Sequence, residues 1–317
     1  MVTFKRKPAA TYAQQAIALA AGAWTELGVS GWNSTHSDWA IDPEPLILFT
    51  AWLADRDPRL RDEATDWCIR NWRHVSRARL RNLISHDEGS EAWREYAGTV
   101  SAHSGVKWPS SGEPRVYRVT GRSTLPPFSR PSLAWLRLRA TFGLGARSEI
   151  LRCFLAQPDT PIKSVSTLAA QAGYTKRNVT DECEMLERAG LLSQRARVNR
   201  FYYSLTRRAE LEALIGELPE IRPEWSRVFN TARHLVELEA AAQTVSARTF
   251  PIRVRQAITA IEDDLAELEI ETDFTDLHGE ELWPAVQELA ARTLTQWSIG
   301  NWSEQCARQN VQRIAQL

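Results

Sequence analysis

The chain has little with which to do chemistry. Its four cysteines, Cys68, Cys153, Cys183 and Cys306, lie far apart and form no Cys-x-x-Cys pair, so the close spacing of metal and redox sites is missing. Each falls in a stretch that reads as helix, where a thiol packs as a small core residue. The six histidines, His36, His74, His86, His103, His234 and His278, never stand at a ligand spacing from one another. No Gly-x-x-x-x-Gly-Lys loop, His-Glu-x-x-His pair or Gly-x-Ser-x-Gly elbow occurs, which removes the common phosphate-binding, zinc-protease and serine-hydrolase signatures. Asp263-Asp264 resembles a metal-binding carboxylate pair, but it sits in a charged helical stretch and reads as solvated. These absences predict a protein that is not an enzyme, with no catalytic residues, no metal site and no cofactor.

Long apolar runs are also missing. The longest nearly apolar stretch, residues 16–24, contains a glycine and is too short to span a bilayer. The basic start, Met-Val-Thr-Phe-Lys-Arg-Lys-Pro, is not followed by an uninterrupted secretory core or a small-residue cleavage site. A cytoplasmic protein without membrane association is therefore expected. With 43% hydrophobic and 25% charged residues in 317, the chain is ordinary globular material, long enough for two or three domains with separate cores.

Charge is present, and it is unevenly distributed. Lys+Arg and Asp+Glu both number 39, so net charge is zero. Residues 1–114 hold 13 basic and 14 acidic residues, residues 115–208 hold 17 and 6, and residues 209–317 hold 9 and 19. A strongly basic middle between a neutral and an acidic segment points to a polyanionic partner for the middle.

Hydrophobic periodicity predicts a mainly α protein. Residues 10–27 carry Ile17, Leu19, Ala20, Trp24 and Leu27 on one helical stripe. Asp42-Pro-Glu-Pro looks like a helix start, with a helix over 46–54, an Asp57-Pro-Arg turn and a second helix over 60–72; together they read as an αα-hairpin. Residues 86–131 read as irregular, with a short alternating strand at 115–120 and a proline-stiffened extended stretch at 125–131. A short helix over 132–142 should end at Gly143. Beyond residue 208, helices are expected over 207–218, 225–242, 254–271 and 282–297, punctuated by Pro219, Pro223 and Pro251. The expected organisation is a helical domain (1–114), a basic linker with an extended stretch and short helix (115–145), a helix-turn-helix with a small β-wing (146–208) and an acidic helical domain (209–317).

The middle segment is the informative one. Residues 147–156 put Ile150, Leu151, Phe154 and Leu155 on one face. Ser166 is expected to cap a helix over 167–172 with Leu168, Ala169 and Ala172 inward, and Gly173 to end it, because a tight turn needs positive φ. Thr175 would cap a third helix reaching Ala189, whose Val179, Cys183 and Leu186 recur at i, i+4 and i+7. Its opposite side begins with Lys176, Arg177, Asn178 and Thr180. After Gly190, Leu191-Leu-Ser-Gln-Arg-Ala and Arg200-Phe-Tyr-Tyr-Ser-Leu read as two strands around an arginine-bearing turn.

The phrase Leu168-Ala-Ala-Gln-Ala-Gly-Tyr-Thr-Lys-Arg-Asn-Val-Thr-Asp-Glu-Cys-Glu-Met-Leu-Glu-Arg-Ala-Gly-Leu-Leu resembles the ArsR/MarR-type winged helix-turn-helix superfamily. The resemblance covers about residues 146–206. It implies a bacterial-type regulator, a repressor in the simplest case, that binds double-stranded DNA as a homodimer. The third helix would enter the major groove N-terminus first, with Thr175, Lys176, Arg177, Asn178 and Thr180 toward phosphates and base edges. Arg195, Arg197, Asn199 and Arg200 of the wing would grip backbone or minor groove, and Arg207 with Arg208 would add phosphate contacts. Asp181, Glu182, Glu184 and Glu187 make the rest of that helix acidic, so only its first turn is expected to approach the bases. An alternative from another class is a protein–protein adaptor that docks through the winged helix. A variant of it is an antitoxin-type autorepressor whose acidic C-terminal domain takes a protein partner. The 13 tryptophans have two readings as well, an aromatic ligand pocket or large core residues in helix packing.

Overall fold

The computed structural model describes residues 10–33, 35–84, 90–157, 162–197, 200–272, 274 and 277–302. Cys306, His86 and Asn199 lie outside them. The fold is mainly helical (62%), with 13 α-helices and one three-stranded antiparallel sheet among the described residues. None of these helices is long and apolar enough to cross a membrane. Packing gathers the chain into two compact units, residues 23–226 and the combination of 1–22 with 227–317. This partition follows contacts, whereas the charge segments follow composition.

In the larger unit, α2 (Pro43–Trp52) begins behind Asp42 with prolines in its first turn, and α3 (Pro58–Asn71) is capped by Asp57, whose carboxylate accepts from Leu60 N at 2.9 Å. They form the expected hairpin. Two further helices follow, α4 (Arg77–Leu83), capped by Ser76, and α5 (Glu91–Ser104), capped by Ser90. Helix α5 corrects the reading of 86–131 as irregular. Its buried Trp93, Tyr96, Ala97 and Val100 recur at i, i+3, i+4 and i+7, a stripe that was present in the sequence.

The expected strand at 115–120 does not form. The N–H of Arg115 donates to Thr99 Oγ1 at 3.1 Å, and those of Thr120 and Gly121 donate to Asp66 Oδ1 at 2.7 and 2.8 Å. Side chains of α3 and α5 thus satisfy the extended backbone that a partner strand would otherwise have to satisfy.

After α6 (Ala134–Phe142), which ends at Gly143 as expected, come α7 (Ala146–Ala156), β1 (Ile162–Ser164), α8 (Val165–Ala172), α9 (Lys176–Arg188), β2 (Leu192–Arg197), β3 (Arg200–Leu205) and α10 (Arg208–Ile215). Strand β1 was not anticipated. It pairs with β3 and completes the order β1-β3-β2. Because β1 runs straight into α8, the cap falls on Ser164 rather than Ser166, and Ser164 Oγ accepts from Thr167 N at 3.1 Å. One core joins these elements, including Ile150, Phe154, Leu168, Val179, Cys183 and Leu211.

The smaller unit contains α11 (Trp225–Thr244) from Arg227 onward, α12 (Phe250–Glu267), α13 (Leu282–Ser298) and the first part of α1 (Tyr12–Glu26). Asp264 accepts from Arg227 and Asn230, each at 2.7 Å, so it links α12 to α11 instead of lying free in solvent.

Six charged side chains are buried together in the larger unit. Arg79, Arg139, Arg152, Asp42, Glu44 and Glu149 are each at most 5% exposed. Arg79 holds both oxygens of Asp42 and reaches Glu44 at 2.8 Å. Arg139 spans Glu44 at 2.6 Å and Glu149 at 2.7 Å, and Arg152 meets Glu149 at 2.7 Å. Three positive and three negative groups leave no net buried charge. Burial would raise the Asp42 carboxyl, but Arg79, Arg152 and Arg139 outweigh it and hold the group well below the usual carboxylate range. Glu149 is lowered in the same way, with Arg139, Arg79 and Arg152 overcoming its burial.

Replacing Arg79 with Met would strand Asp42 and Glu44, at a cost of about 3–5 kcal/mol and a Tm lower by roughly 10 °C. Both lowered carboxyls confer stability that is complete above about pH 4 and lost as pH falls. The Tm gap between native chain and variant, followed by thermal denaturation, should therefore narrow below that pH. A loss of stability under about 1 kcal/mol at pH 7 would show that Asp42 and Glu44 do not depend on Arg79 for their compensation.

Candidate nucleic-acid interface

The turn between α8 and α9 is where the basic segment meets the buried network. Gly173 closes α8 with φ +69°, as its place in a tight turn requires. Arg79 Nε donates to the carbonyl of Ala172 at 3.0 Å, and Arg152 Nη2 to that of Gln171 at 2.6 Å. Asn82 Nδ2 donates to the Gly173 carbonyl at 2.9 Å, and Ser76 Oγ and Tyr174 OH share a hydrogen bond of 2.6 Å. Side chains from α4, its cap and α7 thus fix the end of α8 and the start of α9.

Helix α9 starts as expected. Thr175 caps it, its Oγ1 accepting from Asn178 N at 3.3 Å. Val179, Cys183 and Leu186 are buried, while Lys176, Arg177 and Asn178 are exposed and Thr180 is half-buried. The Thr180 hydroxyl donates to the Lys176 carbonyl at 2.9 Å, so its hydrogen is spent inside the helix. Asp181 and Glu184 are exposed one and two turns beyond Arg177 on the same side. Glu182 is not free: Arg147 of α7 donates to it at 2.9 Å.

The β2–β3 hairpin sorts its residues by face. The register pairs Arg195 with Tyr202 and Arg197 with Arg200, while Gln194 pairs with Tyr203 and Leu192 with Leu205. Side chains alternate along a strand. Leu192, Gln194, Tyr203 and Leu205 therefore share the face that carries the buried Leu192 and Tyr203, and Arg195, Arg197, Arg200 and Tyr202 share the other. The three arginines are exposed and stand together. Tyr202 belongs with them: alternation along β3 puts it on the Arg200 side, and the register aligns it with Arg195. Arg207 is exposed at the start of α10, whereas Arg208 is drawn back to the Phe154 carbonyl at 2.6 Å and Glu212 at 3.1 Å. Lys176, Arg177, Arg195, Arg197, Arg200 and Arg207 form no ion pair among the described residues.

Little reactive chemistry is offered nearby. Burial pushes the thiols of Cys68 and Cys183 up to about 12 and that of Cys153 up to about 11, so they are protonated and inert as nucleophiles near neutral pH. Among the described residues no group of three or more His, Cys, Asp or Glu is placed to hold a metal ion. Trp24, Trp39, Trp67 and Trp108 are buried in the core, and Trp108 also borders a cleft beside Tyr174 that the half-buried Trp72 lines.

Compared with known protein families, curated proteins and solved structures, the chain gives no match.

A methyl group on Gly173 would lie 2.9 Å from Arg79 Cγ, whereas one on Gly190, at a similar φ of +72°, would meet nothing. Gly190→Ala should cost the left-handed strain alone, about 1–2 kcal/mol. Gly173→Ala should cost visibly more in the same denaturant titration, because Arg79 is held by its partners and cannot give way. Equal costs would mean that the turn is only loosely coupled to the network.

Proposed function

We propose that the chain is a sequence-specific, double-stranded-DNA-binding regulator, a repressor in the simplest case, and that residues 146–206 form a winged helix-turn-helix. The observation that carries this reading is the pair of exposed, unpaired basic groupings on one small unit: Lys176 and Arg177 at the start of α9, and Arg195, Arg197 and Arg200 on one face of the hairpin. The element order from α7 to β3 supports it, since two helices joined by a tight glycine turn precede a two-stranded hairpin. The first turn of α9 is suited to the groove, with Asn178 for adenine and Lys176 or Arg177 for guanine or phosphate. Asp181 and Glu184 keep the later turns off the phosphates, so the hairpin arginines supply the remaining grip on the backbone. A homodimer would present two such surfaces to a symmetric operator. The alternative adaptor role uses the same surface for an acidic protein.

The test is a fluorescence-anisotropy titration against duplex DNA from upstream of its own gene and a scrambled duplex, at two salt concentrations. Five cations engaging phosphates predict a log–log salt slope of roughly −4.5. The combined substitution Lys176→Ala, Arg177→Ala and Arg200→Ala should weaken binding by roughly 100-fold with an unchanged Tm. A variant that retains full affinity refutes the site, and native protein that binds neither duplex favours the adaptor.

A further inference from the structure

A cleft of about 800 Å³ lies in the larger unit, beside the turn into α9. That volume is in the range of small-molecule sites. Its walls come from stretches far apart in sequence: the 3-10 turn Trp72–His74, α4, residues 107–110, the α6–α7 turn and Tyr174.

The charge of the lining is one-sided. Arg73, Arg77, Arg81 and Lys107 line the cleft, and no Asp or Glu does so among the described residues. None of the four makes an ion pair among the described residues, in contrast to neighbouring Arg79, which is saturated by Asp42 and Glu44. Like charges around one concavity repel and focus a positive potential into it, which an anion would relieve. Arg77 donates to the Lys107 carbonyl at 3.3 Å, tying two of the cationic stretches together.

Trp72, Trp108 and Tyr174 line the cleft as well, among small and aliphatic residues. Arg73 stacks on Trp72 at 4.8 Å from the ring centroid. Trp108 is 1% exposed, and its indole Nε1 has no hydrogen-bond acceptor among the described residues, a buried donor left unsatisfied at real cost. Beside it, Ser110 holds φ +53° without being glycine, a strained backbone of the kind that gathers at ligand sites. The segment is braced from behind, where Trp93 Nε1 donates to the Pro109 carbonyl at 3.2 Å.

We propose that this cleft binds a nucleoside di- or triphosphate, with the phosphoryl groups among Arg73, Arg77, Arg81 and Lys107 and the base against Trp72, the half-exposed ring of the aromatic wall that Trp108 and Tyr174 back from inside. The number of cations selects the ligand class. A monoanion would leave most of them unpaired, and a bare polyphosphate would leave the aromatic wall uncovered. A DNA duplex, with its bases stacked inside, would set only phosphates on the rim.

Calorimetric titration of the full chain, without DNA, tests the proposal with ATP, GTP, adenosine and tripolyphosphate as probes. A nucleotide should saturate one site, and adenosine and tripolyphosphate should each bind at least 10-fold more weakly. Arg77→Ala with Arg81→Ala should weaken nucleotide binding at least 10-fold, and so should Lys107→Ala with Arg73→Ala; these side chains are exposed, so the unliganded Tm should hold. Lys176→Ala with Arg177→Ala and Arg200→Ala, on the α9 and hairpin surface, should leave nucleotide binding unchanged whether or not that surface binds DNA. The proposal is overturned by absence of saturable nucleotide binding, by tripolyphosphate binding as tightly as ATP, or by cleft variants that bind like the native chain. It is equally overturned if those variants lose only duplex affinity, since the cleft cations would then belong to a DNA surface.

Discussion

The buried network of Arg79, Arg139 and Arg152 with Asp42, Glu44 and Glu149 is the constraint on which the larger unit depends. Removing six charges from water costs several kcal/mol per ion before any pairing is counted. That cost is offset only if every group finds partners of opposite charge in good geometry. The chain supplies them from four helices and a cap: Asp42 and Glu44 at the start of α2, Arg79 on α4, Arg139 on α6, Glu149 and Arg152 on α7. Apolar packing tolerates small slides of one helix over another, whereas paired guanidinium and carboxylate groups have few acceptable arrangements. The network therefore specifies how α2, α4, α6 and α7 meet, beyond what their apolar faces require.

That specification reaches the candidate interface directly. Arg79 and Arg152 use their remaining donors on the carbonyls of Ala172 and Gln171, which the end of a helix leaves unsatisfied. The same side chains that close the ion network thus cap α8 and hold the turn from which α9 departs. With the core face of α9 seated by Val179, Cys183 and Leu186, its first turn faces outward on a rigid support. Tyr174 belongs to this turn through its backbone and to the cationic cleft through its ring, with Ser76 bonded to its hydroxyl. The two surfaces proposed to take phosphates are therefore neighbours, with Tyr174 lining one and immediately preceding the helix start that carries the other.

Much of this was legible in the amino-acid order. Helices with periodic apolar residues and explicit stops came out close to expectation: α7 through Ile150, Leu151 and Phe154, α9 through its Thr175 cap and Val179, Cys183 and Leu186, and α6 through Gly143. Short elements whose existence depends on a distant partner did not. Strand β1 has three residues and exists because β3 lies beside it, and residues 115–120 stay unpaired because Asp66 and Thr99 supply acceptors. Arg73, Arg77 and Arg81 are spaced four apart in the sequence, a visible signal for a basic face. That spacing sets Arg79 on the opposite side of α4 from Arg77 and Arg81, but it does not say which of the two sides is buried.

The sequence by itself determined the mainly helical character, the basic middle, the glycine-closed turn and the cationic start of α9, because each arises from local periodicity, capping or composition. The tertiary structure alone decided which arginines are spent inside and which remain free outside. It also decided that Tyr202 and Arg200 share a face with Arg195 and Arg197 of the other strand, and that Trp72, Trp108 and Tyr174 border one cleft with four cations that have no ion-pair partner among the described residues. Charge and ring type are written in one residue, but burial, pairing and register belong to pairs of residues far apart in the chain, and only folding brings those together.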